Sequence, residues 1–107
     1  MTDQDLLLSL SQVGYPVDSV AELSDSGRRY TDAIPVLLDW LTRLRDLNAK
    51  EEVVRALTVP WARRAALDPM ISEFTATPPY GNPQQELYRW AVGNAIETLW
   101  TMPDLMN

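Results

Sequence analysis

The sequence predicts an all-α protein, built as a short right-handed stack of antiparallel helical hairpins. Apolar residues recur at spacings of three and four along much of the 107-residue chain, and no segment alternates convincingly as a strand does. A similar six-residue phrase also occurs twice, as Pro35 to Trp40 and again 34 residues later as Pro69 to Phe74. Such a period is typical of solenoids, in which each helical unit buries its apolar face against its neighbours.

Length and composition limit the possible functions. We expect one domain, with an N-terminal helix and connector (1–29), a first hairpin (30–59), and a second hairpin with a C-terminal tail (60–107).

The absence of Cys and His removes thiolate metal sites and the commonest general base, so we expect no enzyme, metal or cofactor. The 15 acidic and 9 basic residues give a net charge of -6, which opposes binding to nucleic acid. The acidic N-terminus resembles neither a secretory signal nor a membrane span, so a cytoplasmic protein without membrane contacts is expected.

The elements before Pro60 are predicted from caps and apolar stripes. A first helix, capped by Thr2, should end at Gly14, and the irregular connector up to Tyr30 should contain one short helix. A long helix should follow, with its apolar stripe reaching Leu47 and with Pro35 in its first turn. A returning helix should then run from Lys50 to Val59 (50–59).

Prolines divide the rest of the chain. Pro60 should break the returning helix, and the next segment is either one helix kinked at Pro69 or two pieces, the second capped by Asp68. A loop through 77–83 should precede a last helix over 84–101, in which Gly93 should face a closely packed neighbour. We expect one face of this helix to be formed by Leu87, Trp90, Ala91, Asn94, Ala95, Thr98 and Leu99, with Val92, Ile96 and Trp100 broadening it.

Aromatic and charged residues allow competing interpretations. Helical spacing favours burial of Trp40 and Trp90 in the core, whereas Trp61 and Trp100 could equally be core residues or binding anchors. Asp39 and Glu73 occupy corresponding places in the two phrases. Corresponding carboxylates could form a catalytic pair, but we favour a solvent-facing row.

The pattern of this chain resembles the HEAT repeats of small bacterial proteins. The resemblance lies in a proline in the first helix of a hairpin, the paired apolar residues after it, and the run from Val54 to Leu57 in the second helix. The resemblance covers roughly residues 30–100, and the corresponding run in the last helix, Gly93 to Ile96, departs from the pattern. It implies an all-helical armadillo-type scaffold that binds other proteins without catalysis.

The leading functional hypothesis is therefore an adaptor, inhibitor or immunity-type protein, whose acidity suits a basic protein partner. The candidate contacts are Arg55, Trp61, Arg63, Arg64, Tyr80, Arg89 and Trp100, with the loop from Pro78 to Pro83. One alternative is a homo-oligomeric structural protein, such as a dimer formed through an incompletely capped C-terminal end. A HEAT-like enzyme acting on nucleic acid is a weaker alternative, because such enzymes are basic and longer. The chain could also be part of a longer repeat protein.

Overall fold

A computed structural model describes residues 2–27, 29–77 and 81–102, and these residues form helices and connecting turns, with no strand among them. The all-α prediction is confirmed. Two 3-10 turns, Thr31–Ala33 and Pro60–Ala62, lead directly into the third and fifth helices. The helices are α1 (Thr2–Gln12), α2 (Val20–Ser24), α3 (Ile34–Arg43), α4 (Leu47–Leu57), α5 (Arg63–Ala76) and α6 (Pro83–Thr101).

The N-terminal segment turns at Gly14 as predicted, but Thr2 is itself the first residue of α1 and does not precede it as the predicted cap would. Gly14 has a φ of 100°, a value that favours glycine, and the chain reverses there so that the Tyr15 N–H donates to the Leu10 carbonyl at 2.9 Å. The expected short helix in the connector is α2. Ser19 caps α2 by accepting a hydrogen bond from the Glu22 N–H at 3.1 Å.

The turn between α3 and α4 comes earlier than predicted. α3 ends at Arg43 and α4 begins at Leu47, so the expectation that the first helix reaches Leu47 and the second begins at Lys50 is wrong. Leu44 continues the apolar stripe because it is buried, but its backbone is already extended at ψ 142°. The apolar periodicity indicates which residues are buried. A buried residue can lie beyond the end of a helix, so the periodicity is a poor guide to where the helix ends.

Pro69 lies inside a continuous helix. Of the two predicted alternatives, the single helix is confirmed, and Asp68 is an interior residue of α5, so its predicted capping role is wrong. Pro35 is the second residue of α3, where its missing N–H costs nothing, whereas Pro69 is the seventh residue of α5. The two copies of the repeated phrase therefore occupy different places in their helices.

A different register aligns the two 3-10 turns and the helices that follow them. Ala33 and Ala62 occupy the last position of the two turns, and both are buried. Leu41 and Met70, the eighth residues of α3 and α5, are also both buried. Each of these pairs is separated by 29 positions, so the structural correspondence has a shorter offset than the phrase in the sequence.

The helices enclose one apolar core. α6 packs on both α5 and α4, while α4 also contacts α2 and α3, and α1 packs on α3. Buried residues from all six helices join one cluster, which includes Leu10, Leu23, Leu41, Leu57, Met70 and Val92. None of the described helices combines the length and apolar character needed to cross a membrane.

Tyr30 joins the connector to α4 and to the 3-10 turn before α5. Its side chain is buried, and its hydroxyl donates a 2.8 Å hydrogen bond to the Ala56 carbonyl of α4. Its ring also meets Trp61 edge to face, with centroids 5.4 Å apart. Burial raises the pKa of Tyr30, which keeps the hydroxyl protonated as a donor. This contact accounts for the partly buried position of Trp61, one of the two undecided tryptophans.

Candidate protein-interaction surface

A polar junction holds α4, α5 and α6 together. The Nζ of Lys50 lies 2.8 Å from Oε1 of Glu73, and the Tyr88 hydroxyl donates to the same oxygen at 2.6 Å. Only 14% of the Lys50 side chain and 12% of the Glu73 side chain are exposed, so neither charge is well solvated. Each partner compensates the burial of the others, and loss of one would leave a desolvated polar group.

The junction also determines the environment of Tyr88. The pKa of Tyr88 is raised above its usual value, first by burial and then by the hydrogen bond to the Glu73 carboxylate and the charge on it. The ammonium group of Lys50 lies 5.4 Å from the centroid of the Tyr88 ring, a favourable cation–π contact. Tyr88 is therefore held in its protonated form on the buried side of α6.

Because Tyr88 is buried, the side of α6 that faces the core differs from the predicted one. The buried residues of α6 are Tyr88, Val92, Ala95 and Leu99. Much of the face predicted around Leu87 and Trp90 is instead exposed, with 59% of Leu87 and 65% of Trp90 accessible to solvent. The prediction that Trp90 belongs to the core is wrong, because Tyr88 occupies the interior and has polar partners there for its hydroxyl.

Gly93 allows α6 to approach α5 closely, as predicted. A Cβ atom on Gly93 would lie 3.1 Å from Cε1 of Phe74, tighter than most contacts of a real Cβ atom. The guanidinium group of Arg89 lies 3.9 Å from the centroid of the Phe74 ring. The side chain of Arg89 is thus occupied by stacking on Phe74.

Trp90 stands between two surface depressions. One is a groove of about 360 Å³ between α4 and α6, whose lining includes Val54, Arg55, Trp90 and Ala95. The other is a depression of about 560 Å³ that reaches from Trp90 towards Phe74 and Arg89. We call the exposed residues on this side of α6 the Trp90 face; they are Glu86, Leu87, Trp90, Asn94 and Glu97.

The structure brings two of the predicted contact residues to this face. Arg55 lines the groove, with 68% of its side chain exposed and an ion pair of 3.6 Å to Glu51. Arg89 lines the depression on the other side of Trp90. Two residues that the sequence predicts as partner contacts therefore flank Trp90, which the sequence predicts to lie in the core.

The other predicted contacts lie elsewhere. Arg63 donates hydrogen bonds to the carbonyls of Leu99 at 2.7 Å and Trp100 at 3.3 Å, and so caps the C-terminus of α6. Trp100 is 67% exposed, and Arg64 is exposed near the start of α5. Tyr80 and the start of its loop, Pro78 and Pro79, lie outside the described residues.

The carboxylates of the two phrases have separate partners. Asp39 is exposed and pairs with Arg43 of its own helix at 2.8 Å. Glu73 is largely buried in the polar junction, so the predicted solvent-facing row is wrong at Glu73. The two phrases occupy different positions in their helices. Glu73 lies one turn beyond the buried Met70, so it faces Lys50.

The sequence contained a signal for the true face of α6. Tyr88, Val92, Ala95 and Leu99 follow helical spacing as well as the predicted face does. The predicted face includes the polar residues Asn94 and Thr98, whereas Tyr88 is the only member of the true face with a polar group. Counting polar residues on each face would have favoured exposure of Trp90.

The Trp90 face is chemically mixed. It combines a large aromatic ring and an apolar side chain with carboxylates, and no group of three or more acidic side chains in the described ranges could hold a metal ion. No protein-family model matches the chain, and comparisons with curated proteins and with solved structures find no match.

Proposed function

We propose that this protein is a non-catalytic protein-binding module that uses the Trp90 face and the adjoining groove between α4 and α6. The supporting observation is that Trp90 is 65% exposed while Tyr88, two residues before it, is buried on the same helix. An exposed tryptophan beside a groove can bury a large apolar area against a partner, and tryptophan is enriched among residues that dominate binding energies.

The proposal includes a HEAT-like scaffold, a right-handed stack of hairpins made by α3 with α4 and α5 with α6, in a single cytoplasmic domain. What supports the stack is the recurrence of a 3-10 turn, a helix and a returning helix, with buried residues at corresponding positions. In such a stack α6 would lie on the outer unit, where an exposed face is accessible to a partner. An adaptor, an inhibitor or an immunity-type protein would each use such a face.

Self-association is the second candidate function. The observation that favours it is Trp100, which is 67% exposed near the end of α6 and apart from the Trp90 face. A homodimer could cover this ring. A HEAT-like enzyme acting on nucleic acid is less favoured, because Glu86 and Glu97 would repel phosphates.

Affinity capture with matched variants tests the proposed function. The wild-type protein, Trp90→Ala and Trp100→Ala would each be immobilised and exposed to native lysate from cells that encode the protein, after circular dichroism shows that all three are folded. We expect a specific protein that the wild type and Trp100→Ala retain and that Trp90→Ala loses. Recovery of the same proteins by wild type and Trp90→Ala would contradict the proposal, whereas loss in Trp100→Ala alone would favour the second candidate.

A further inference from the structure

We infer that the Trp90 face binds a lysine or arginine side chain presented by a basic segment of another protein. This inference rests on the proposed function and adds the chemistry of the partner. Glu86 precedes Trp90 by about one turn of α6, and Glu97 follows it by about two, so both carboxylates lie on the same side of the helix as the ring. Both residues are exposed, and in the ranges that the structure describes neither has an ion pair.

Elsewhere in the molecule, a tryptophan ring and a carboxylate already share a cation. The guanidinium group of Arg43 lies 4.2 Å from the centroid of the Trp40 ring, and it pairs with the Asp39 carboxylate at 2.8 Å. A cation over an aromatic face, paired with a carboxylate, gains both ring attraction and a charge-assisted hydrogen bond. Trp90 has the ring and the carboxylates, but no cation lies over it in the described part of the chain.

Cations over aromatic rings recur in this protein. Arg29 lies 5.8 Å from the centroid of Trp61, Arg89 lies 3.9 Å from that of Phe74, and Lys50 lies 5.4 Å from that of Tyr88. The two basic residues that line the depressions beside Trp90 are already engaged. Arg89 stacks on Phe74. Arg55, in the adjoining groove, pairs with Glu51 at 3.6 Å. In the described part of the chain no basic side chain lies over Trp90, so the cation in this inference comes from another protein.

Charge favours a basic protein segment over other occupants. A second copy of this chain carries a net charge of -6, so an acidic face is unfavourable for pairing with it. Glu86 and Glu97 would also repel nucleic acid and anionic lipid. A basic segment gains from both carboxylates, and the aliphatic stem of its lysine or arginine can cover Trp90 and Leu87.

A selection from a displayed library of random peptides tests the inference. Peptides that bind the wild-type protein and not Trp90→Ala are retained, and their binding constants are then measured against wild type, Glu86→Gln/Glu97→Gln and an Asp39→Asn/Asp46→Asn control. We expect the retained peptides to be rich in lysine and arginine. We also expect their affinity to fall about tenfold in the Glu86 and Glu97 variant, or when the critical arginine is replaced by neutral citrulline.

The outcomes separate the inference from the proposed function. Two results would overturn the basic partner and leave a binding face at Trp90. In the first, the peptides depend on Trp90 but lack basic residues. In the second, they bind Glu86→Gln/Glu97→Gln as tightly as they bind wild type. Failure to obtain any peptide that depends on Trp90 would count against both. An equal loss of affinity in the Asp39 and Asp46 control would show a general charge effect and would also overturn the site.

Discussion

The Tyr88 hydroxyl donates a 2.6 Å hydrogen bond to Oε1 of Glu73, and this bond joins α6 to α5 on the buried side of α6. The same carboxylate oxygen pairs with Lys50 of α4. Because Tyr88 is buried by this junction, Trp90 lies on the solvent side of α6. The exposed face of the molecule thus follows from a polar contact in its interior.

Replacing Glu73 with glutamine should destabilise the protein. The amide can still accept a hydrogen bond from Tyr88, but the largely buried Lys50 loses its counter-charge, so we expect a loss of about 3 kcal/mol in the free energy of unfolding. The measurement is urea unfolding at neutral pH. Asp39→Asn is the matched control, because its exposed ion pair should contribute less than about 1 kcal/mol. Equal effects of the two substitutions would contradict a structural role for the junction.

The stability of the protein should fall at high pH in a way that depends on Tyr88. An ordinary tyrosine has a pKa of about 10, and in the folded protein the pKa of Tyr88 is raised by burial and by Glu73. Above about pH 10 the unfolded chain loses this proton while the folded chain keeps it, so the free energy of unfolding decreases with rising pH.

Comparison of wild type with Tyr88→Phe isolates this effect, because phenylalanine keeps the ring and removes the titrating group. The stability difference between them should change by up to about 1.4 kcal/mol per pH unit above pH 10, to the disadvantage of the wild type. The contribution of Tyr30 cancels, since both proteins retain it. A stability difference that is independent of pH between about 9 and 11 would contradict the raised pKa.

The contact between Gly93 and Phe74 should appear as coupling between two substitutions. Alanine at Gly93 gains about 1 kcal/mol of helix propensity, but its Cβ would lie 3.1 Å from the Phe74 ring. We expect the full gain in a Phe74→Ala background and a gain smaller by about 0.5 kcal/mol or more in the wild type. The measurement is a double-mutant cycle by urea unfolding. Equal gains in the two backgrounds would show that the ring does not restrict this position.

Arg63 should act mainly as a cap on α6. Its hydrogen bonds to the Leu99 and Trp100 carbonyls supply partners at the helix end, so Arg63→Ala should cost about 1 to 2 kcal/mol. Amide exchange should accelerate in the last turn of α6. Arg45→Ala, which removes the same charge from an exposed site, should leave this exchange unchanged. Unaltered exchange in Arg63→Ala would instead favour the predicted role of Arg63 as a partner contact.

The sequence predicts local structure better than it predicts the face of α6. The turn at Gly14 is formed within a few residues, and so it is recognisable from the sequence alone. The orientation of α6 depends on Lys50 and Glu73, which lie on two other helices. Such a contact cannot be read from the periodicity of α6, because Tyr88 and Trp90 both fit an amphipathic helix.

The register of the repeated phrase illustrates the same limit. The phrase that begins at Pro35 and recurs at Pro69 has the right residue types, but the first proline starts a helix and the second lies inside one. The buried alanines, Ala33 and Ala62, mark the structural correspondence and are inconspicuous in the sequence. Burial of small residues follows from how closely neighbouring helices approach, which only the assembled structure shows.

Solvent exposure of Trp90 in the free protein tests the central claim most directly. The chain would be labelled with 5-fluorotryptophan, the Trp90 resonance assigned by Trp90→Phe, and the ¹⁹F shift compared in H2O and D2O. We predict a large solvent isotope shift for Trp90, which is 65% exposed, and a small one for Trp40, which is 7% exposed. An isotope shift at Trp90 as small as that at Trp40 would contradict the orientation of α6 and remove the basis for the Trp90 face.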